Sequence, residues 1–144
     1  MEKLSFQVRP SDESVPLTMA LWINDQCVYG PCAIVEPTVV SQDLSDDIDG
    51  VTYRIRIEMT GKKDEHTTLN AQGEIIKDSL LLFQDFELME INVDQCVREK
   101  AQYCHTTNGH TEPVTQQFNG SMGCNGTVEF EFSTPLYLWL LENM

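Results

Sequence analysis

GVTYRIRIEMTGKKDEHTTLNAQGEIIKDSLLLFQDFELMEINVD, residues 50–94, is the stretch whose reading decides the fold. Its first part alternates: Val51, Tyr53, Ile55, Ile57 and Met59 fall on one face, and Thr52, Arg54, Arg56 and Glu58 on the other. A period of two sustained over nine residues marks a half-buried β-strand. Gly61, Asp64, Asn70 and Gly73 follow, and Gln72-Gly73-Glu74 reads as a tight turn. Residues 74–83 and 86–93 read as two further strands joined at Gln84-Asp85. The loss of phase at Met89-Glu90 predicts a bulge or bend there. Three consecutive strands of this kind predict an antiparallel meander.

The flanks extend the same pattern. Residues 4–8 form a short strand with Leu4, Phe6 and Val8 in phase, and residues 17–23 form a second that ends at an Asn24-Asp25 turn. Residues 26–29 return as a hairpin until Gly30-Pro31 interrupts. Residues 33–40 are apolar but broken by Pro37, which fits an edge strand. Residues 94–104 read as a short helix capped by Asp94, with Val97 and Ala101 on one side. Residues 105–113 form a loop turning at Asn108-Gly109. Val128, Phe130 and Phe132 then alternate with Glu129 and Glu131. Leu136, Tyr137, Leu138, Trp139, Leu140 and Leu141 are six apolar residues in a row, fitting a buried strand or a helix with Pro135 at its first position. Eight or so short strands and at most one short helix predict an all-β fold. The expected architecture is an antiparallel β-sandwich, jelly-roll-like, in one domain over residues 1–144.

Bulk properties narrow the function. The net charge is −14, shared evenly between residues 1–50 and 51–144. No basic stripe is available for phosphate contacts, which argues against nucleic acid and against anionic membranes. No run approaches the ~20 apolar residues that span a bilayer. Met1-Glu2-Lys3 leads straight into strand-like sequence, so no targeting segment is expected, and the protein is expected to be made in a cytoplasm or assembled there. The acidic excess reads as a solvated surface, or more sharply as loops that hold a divalent cation or meet a basic partner. Five cysteines, an odd number, predict reduced thiols, several of them buried as small hydrophobes.

Candidate chemistry is sparse. Asp43, Asp46, Asp47 and Asp49, followed by Gly50, are the best candidate cation ligands, because calcium takes several carboxylate and carbonyl oxygens from a tight turn. Aligned on a helix-loop-helix calcium loop, the twelfth position is Arg56 where a glutamate belongs, so only a calcium site in a sandwich loop remains open. No other cofactor is expected. Cys96, Cys104, His105, His110 and Cys124 are zinc-ligand types, but no closely spaced cysteine pair exists among them. A cysteine nucleophile would need Cys32, Cys104 or Cys124 to face His66, His105 or His110, and no nucleophile elbow or phosphate loop is present. Most of the twelve aromatic residues fall in phase with core positions. Tyr29 and Tyr103, each beside a turn or loop, are the two expected to be exposed and to bind a ligand such as a sugar. So apolar a segment as 136–141 predicts a partner interface, with a homo-oligomer or a larger assembly covering it.

The segments LWINDQCVYG, SDDIDGVTYRIRIEMTGKKDEHT, GEIIKDSLLLFQDFELMEINV and FSTPLYLWLLENM together resemble small β-sandwich virion proteins of tailed bacteriophages, especially those infecting marine cyanobacteria. They also bear a weaker likeness to jelly-roll carbohydrate-binding modules. The first resemblance spans roughly residues 17–144. It implies a non-enzymatic structural or binding component of a virion, tail- or fibre-associated or a capsid decoration, assembled in the host cytoplasm among other virion proteins. The second implies glycan binding, with calcium as an accessory. A small enzyme with a Cys/His site is the third reading. Neither resemblance transfers binding residues by position.

Overall fold

The structure, a computed structural model, describes residues 3–44 and 50–143, with side chains at all of these except 64, 68, 76 and 77. Thirteen strands and two helices run in the order β1 (Lys3–Pro10), β2 (Leu17–Ile23), β3 (Gln26–Ile34), β4 (Thr38–Asp43), β5 (Thr52–Thr60), β6 (Thr67–Leu69), β7 (Ile75–Asp78), β8 (Leu81–Leu88), β9 (Ile91–Asn92), α1 (Asp94–Lys100), β10 (Gln102–His105), β11 (Val114–Gln117), β12 (Ser121–Met122), β13 (Gly126–Ser133) and α2 (Leu136–Asn143). A 3-10 turn, Asp64–His66, precedes β6. Two antiparallel sheets form the sandwich. One has the order β12-β8-β1-β4 with β9 also on β8, the other β11-β10-β13-β5-β2-β3, and β6-β7 make a separate ribbon.

Both strict alternations sit at the centre of the six-stranded sheet, where β5 pairs with β13 over Thr52–Thr60 and Gly126–Ser133. Tyr53, Ile55, Ile57, Val128, Phe130 and Phe132 are buried on the inner face, while Arg54, Glu129 and Glu131 are exposed on the outer. The five-stranded sheet closes over them with Leu4, Phe6 and Val8 of β1 and Leu81, Phe83, Phe86 and Leu88 of β8. Phe86 meets Phe130 edge-on at 6.1 Å across the two sheets and stacks on Phe6 at 5.0 Å within its own. Edge-to-face and offset pairs of this kind add ~0.5–1.5 kcal/mol each beyond area burial.

Several local expectations change. Residues 50–94 are not a meander: β5 lies in one sheet and β8 in the other, and the chain crosses between them through the β6-β7 ribbon. Gln84-Asp85 is no turn. Strand β8 runs through it, with Asp85 at φ 57° and a register shift opposite Phe6, which is a β-bulge. The turn is at Met89-Glu90, both with positive φ, and it joins β8 to β9 as a two-residue hairpin. Asp94 does not cap α1, whose N-cap position is Val93. Its carboxylate accepts instead from the backbone N–H groups of Phe86 (2.7 Å) and Asp85 (3.3 Å), satisfying the bulge. Helix α1 ends at Lys100, and Cys104 belongs to β10. Pro37 separates β3 from β4, which are edge strands of opposite sheets, so the proline marks a change of sheet. The tail is a helix, so the described residues form two short helices where at most one was expected.

Candidate functional site

Helix α2 follows from its local sequence. Ser133-Thr134-Pro135 ends β13, and Thr134 ties the turn to the start of β5: its N–H donates to Val51 O at 2.8 Å, and its Oγ1 accepts from Val51 N–H at 3.0 Å. Pro135 O then accepts from the N–H groups of Leu138 and Trp139, opening the helix. Its far end is held by α1, where the Cys96 thiol donates to Asn143 O at 3.1 Å. Leu136 and Leu140, one turn apart, are 1% and 7% exposed and face the core, and Trp139 packs edge-on against Phe132 at 6.1 Å. Tyr137, Leu138 and Leu141 are 56%, 44% and 76% exposed. Spaced i, i+1 and i+4, they share one outward face. The six apolar residues therefore divide: one face completes the core and the other stands open. Beside α2, a groove of about 470 Å³ is lined by Asn92, Val93, Gln95, Cys96, Glu99 and Asn143.

The remaining candidates are dispersed. Asp43 lies in edge strand β4 with Lys3 Nζ 3.9 Å from its carboxylate, while Asp46, Asp47 and Asp49 lie outside the described residues. Among the described residues no group of three His, Cys, Asp or Glu side chains could hold a metal ion. Neither tyrosine is a free platform. Tyr103 is only 4% exposed; its hydroxyl donates to Cys124 O and accepts from Cys124 N–H, and burial pushes its pKa up to about 12. Tyr29 packs part-buried against the core, and its phenol pKa is raised chiefly by a hydrogen bond with the Cys32 side chain. A turn or loop nearby is weak grounds for exposure, because the residue's phase in its strand decides which way it points.

Cys96 and Cys124 sit in surroundings unlike those that activate a nucleophile. Burial raises the pKa of Cys96 and of Cys124, which holds both thiols protonated. Cys104 is exposed and lies 3.0 Å from Thr115 Oγ1. His66 Nδ1 accepts from Lys63 N–H and His105 Nδ1 from Thr107 N–H, so both rings act as acceptors in local turns.

One residue escaped sequence reasoning. Lys62, beside Lys63 in a polar segment, carries no signal of burial, yet its side chain is 0% exposed. Its ammonium donates to Asp78 Oδ1 (2.6 Å), Ser79 O (2.6 Å) and Gly123 O (2.8 Å), using all three protons. Asp78 Oδ1 also accepts from Thr67 Oγ1 and Ser79 N–H. Asn125 bonds both backbone groups of Lys62. This node fastens the end of β5, the β7-β8 junction and the 123–125 loop.

Comparison with protein families, with curated proteins and with solved structures returns no match.

Proposed function

We propose that the chain is a non-enzymatic structural or binding module of a bacteriophage virion, tail- or fibre-associated or a capsid decoration, docked through the outer face of α2. The observation that carries the reading is the exposure of Tyr137, Leu138 and Leu141 on a helix whose opposite face is locked into the core. Burying each of these partly exposed side chains is worth ~1–2 kcal/mol, scaled from the value for a whole leucine. Association costs at least about 4 kcal/mol, so the three anchor an interface but need a wider footprint, which the adjoining groove offers. The occupant we favour is another protein of the particle, with an apolar patch and a basic rim. Glu99 lines the adjoining groove, Glu142 is exposed on α2 itself, and two copies each at −14 repel. The protonated thiols and the acceptor roles of His66 and His105 favour a binding role over Cys/His catalysis.

The test is Leu138→Lys/Leu141→Lys, at two exposed positions whose side chains point away from the core. Mass spectrometry of purified particles should find the unmodified chain, and the variant should be folded but depleted from them. Variant incorporation at the level of the unmodified chain refutes docking through α2. Absence of the unmodified chain from particles refutes the virion reading. Light scattering that shows a stable homo-oligomer abolished by the variant would assign the same face to a second copy instead.

A further inference from the structure

The β6-β7 ribbon carries two unlike pairs on one face. Thr67 stands opposite Asp78 and Leu69 opposite Ile75, with a register shift between Thr68 and Leu69 that keeps the two pairs in phase. Thr67 and Leu69 are two residues apart in an extended strand, so they and their partners point the same way. The apolar pair lies toward the turn of the ribbon, Leu69 55% and Ile75 63% exposed, and the polar pair lies at its base beside Lys62. This face walls a cleft of about 320 Å³, whose other walls come from residues 107–110 and from the 123–125 loop.

Asp78 turns one oxygen to this cleft and keeps the other inside. Oδ1 is saturated: it accepts from Lys62 Nζ at 2.6 Å, Thr67 Oγ1 at 2.7 Å and Ser79 N–H at 2.9 Å. Oδ2 accepts from no group among the described residues and stays open to solvent. A Cβ on Gly123 would stand 3.8 Å from Oδ2, which places this oxygen against the 123–125 wall of the cleft. Three bonds to Oδ1 fix the carboxylate before any ligand arrives, so little ordering remains to oppose binding.

Charge and shape select the ligand. Lys62 is enclosed and gives all its protons to the protein, so the cleft meets the negative end of the pair. No lysine or arginine lines the cleft among the described residues, and the chain as a whole carries −14, so a cation is drawn in and an anion is repelled. An arginine fork binds both oxygens of a carboxylate, but Oδ1 is taken, so the point charge of an ammonium suits the single free oxygen. Leu69 and Ile75 lie about 7 Å along the ribbon from the Thr67–Asp78 pair, two strand residues, and the four-carbon stem of a lysine covers such a span. At about 30 Å³ for each group of water size, the cleft has room for the whole side chain. We infer that this cleft receives a lysine side chain of a partner protein. The stem lies across Leu69 and Ile75, and the ammonium donates to Asp78 Oδ2. The site depends neither on the virion reading nor on the docking of α2.

The experiment titrates the isotope-labelled whole chain, by NMR at low salt, with Nα-acetyl-lysine N-methylamide and with its norleucine and arginine counterparts. The lysine probe should shift the amides of Thr67, Leu69, Ile75 and Asp78 saturably. Norleucine keeps the stem without the charge, and should bind at least about tenfold more weakly, the size of one charge-assisted hydrogen bond. Arginine should also bind more weakly. Asp78→Asn leaves an oxygen for Lys62 and turns an amide NH2 to the cleft, which should abolish the saturable shifts. Ile75→Lys, at an exposed position, brings a competing ammonium to the same face; it should melt like the parent and exclude the probe. If Asp78→Asn does not fold, Ile75→Lys decides alone. A lysine probe that shifts nothing saturably, a norleucine or arginine probe that binds as tightly, or a lysine affinity unchanged in Ile75→Lys each overturns the proposal. None of these outcomes bears on incorporation of the α2 variant into particles.

Discussion

Replacing Lys62 with methionine removes a charge that is wholly enclosed by the fold, at nearly constant side-chain length. Three hydrogen bonds disappear together, to Asp78 Oδ1, Ser79 O and Gly123 O. Ser79 is buried, so its carbonyl oxygen is left without a partner or water. Leaving a buried acceptor such as Ser79 O unpaired costs ~1–3 kcal/mol, and Gly123 O, in a part-buried contact, loses its bond at smaller cost. Asp78 suffers less. Its side chain keeps 24% exposure, and Thr67 Oγ1 and Ser79 N–H still donate to it. The loss should therefore total about 3–5 kcal/mol, in the range for breaking one side of a buried pair. For a domain near this size that lowers Tm by roughly 10–15 °C. Urea denaturation, read by tryptophan fluorescence, measures it through the midpoint at constant slope. Asp78→Asn should cost less than Lys62→Met, because the amide oxygen still accepts. Because the pair is enclosed, the Lys62→Met penalty should change little between 50 mM and 1 M NaCl. A Lys62→Met midpoint within about 0.5 kcal/mol of the parent would refute the account, as would a penalty that salt erases.

Other expectations follow from the same geometry. Ile55→Asp buries a carboxylate beneath the six-stranded sheet and should abolish folding, whereas Arg54→Asp loses a surface ion pair worth at most ~1 kcal/mol; equal tolerance by circular dichroism would contradict the assigned faces. Tyr103 has its folded pKa raised from 10.0 to about 12, so the folded state keeps a proton that the unfolded chain releases. Its contribution is therefore intact below pH 10 and lost as pH rises through about 12, and ultraviolet titration should show a phenol titrating near 12 that disappears in Tyr103→Phe. Cys96 should react with a thiol reagent far more slowly than exposed Cys104, as mass spectrometry of labelled peptides would show; faster labelling of Cys96 would mean that α2 lifts from α1. The α2 variant described above completes the set.

Where local periodicity was strong, the sequence was sufficient. The alternations around Ile55 and Phe130 determined two strands, their buried faces and the all-β class, because side chains of an extended chain point to opposite sides whatever lies beyond. The six apolar residues from Leu136 to Leu141 determined that the tail must be covered, though not by what. Tertiary structure decided the rest. It made the tail a helix, with Leu136 and Leu140 turned to the core and Leu141 to solvent, because Thr134 and Asn143 pin its two ends. It placed β5 and β8 in different sheets although they are close in sequence, a partition that no local pattern encodes. It buried Tyr103, which stood beside a loop, and left Trp22 on the outer face between Leu21 and Ile23. Lys62 shows the difference most plainly. Its three acceptors belong to residues 16 to 61 positions away, so its burial exists only once the β5 end, the β7-β8 junction and the 123–125 loop have met. Burial of a charge is a property of partners assembled from distant parts of the chain, and a lysine in a polar segment carries no trace of them.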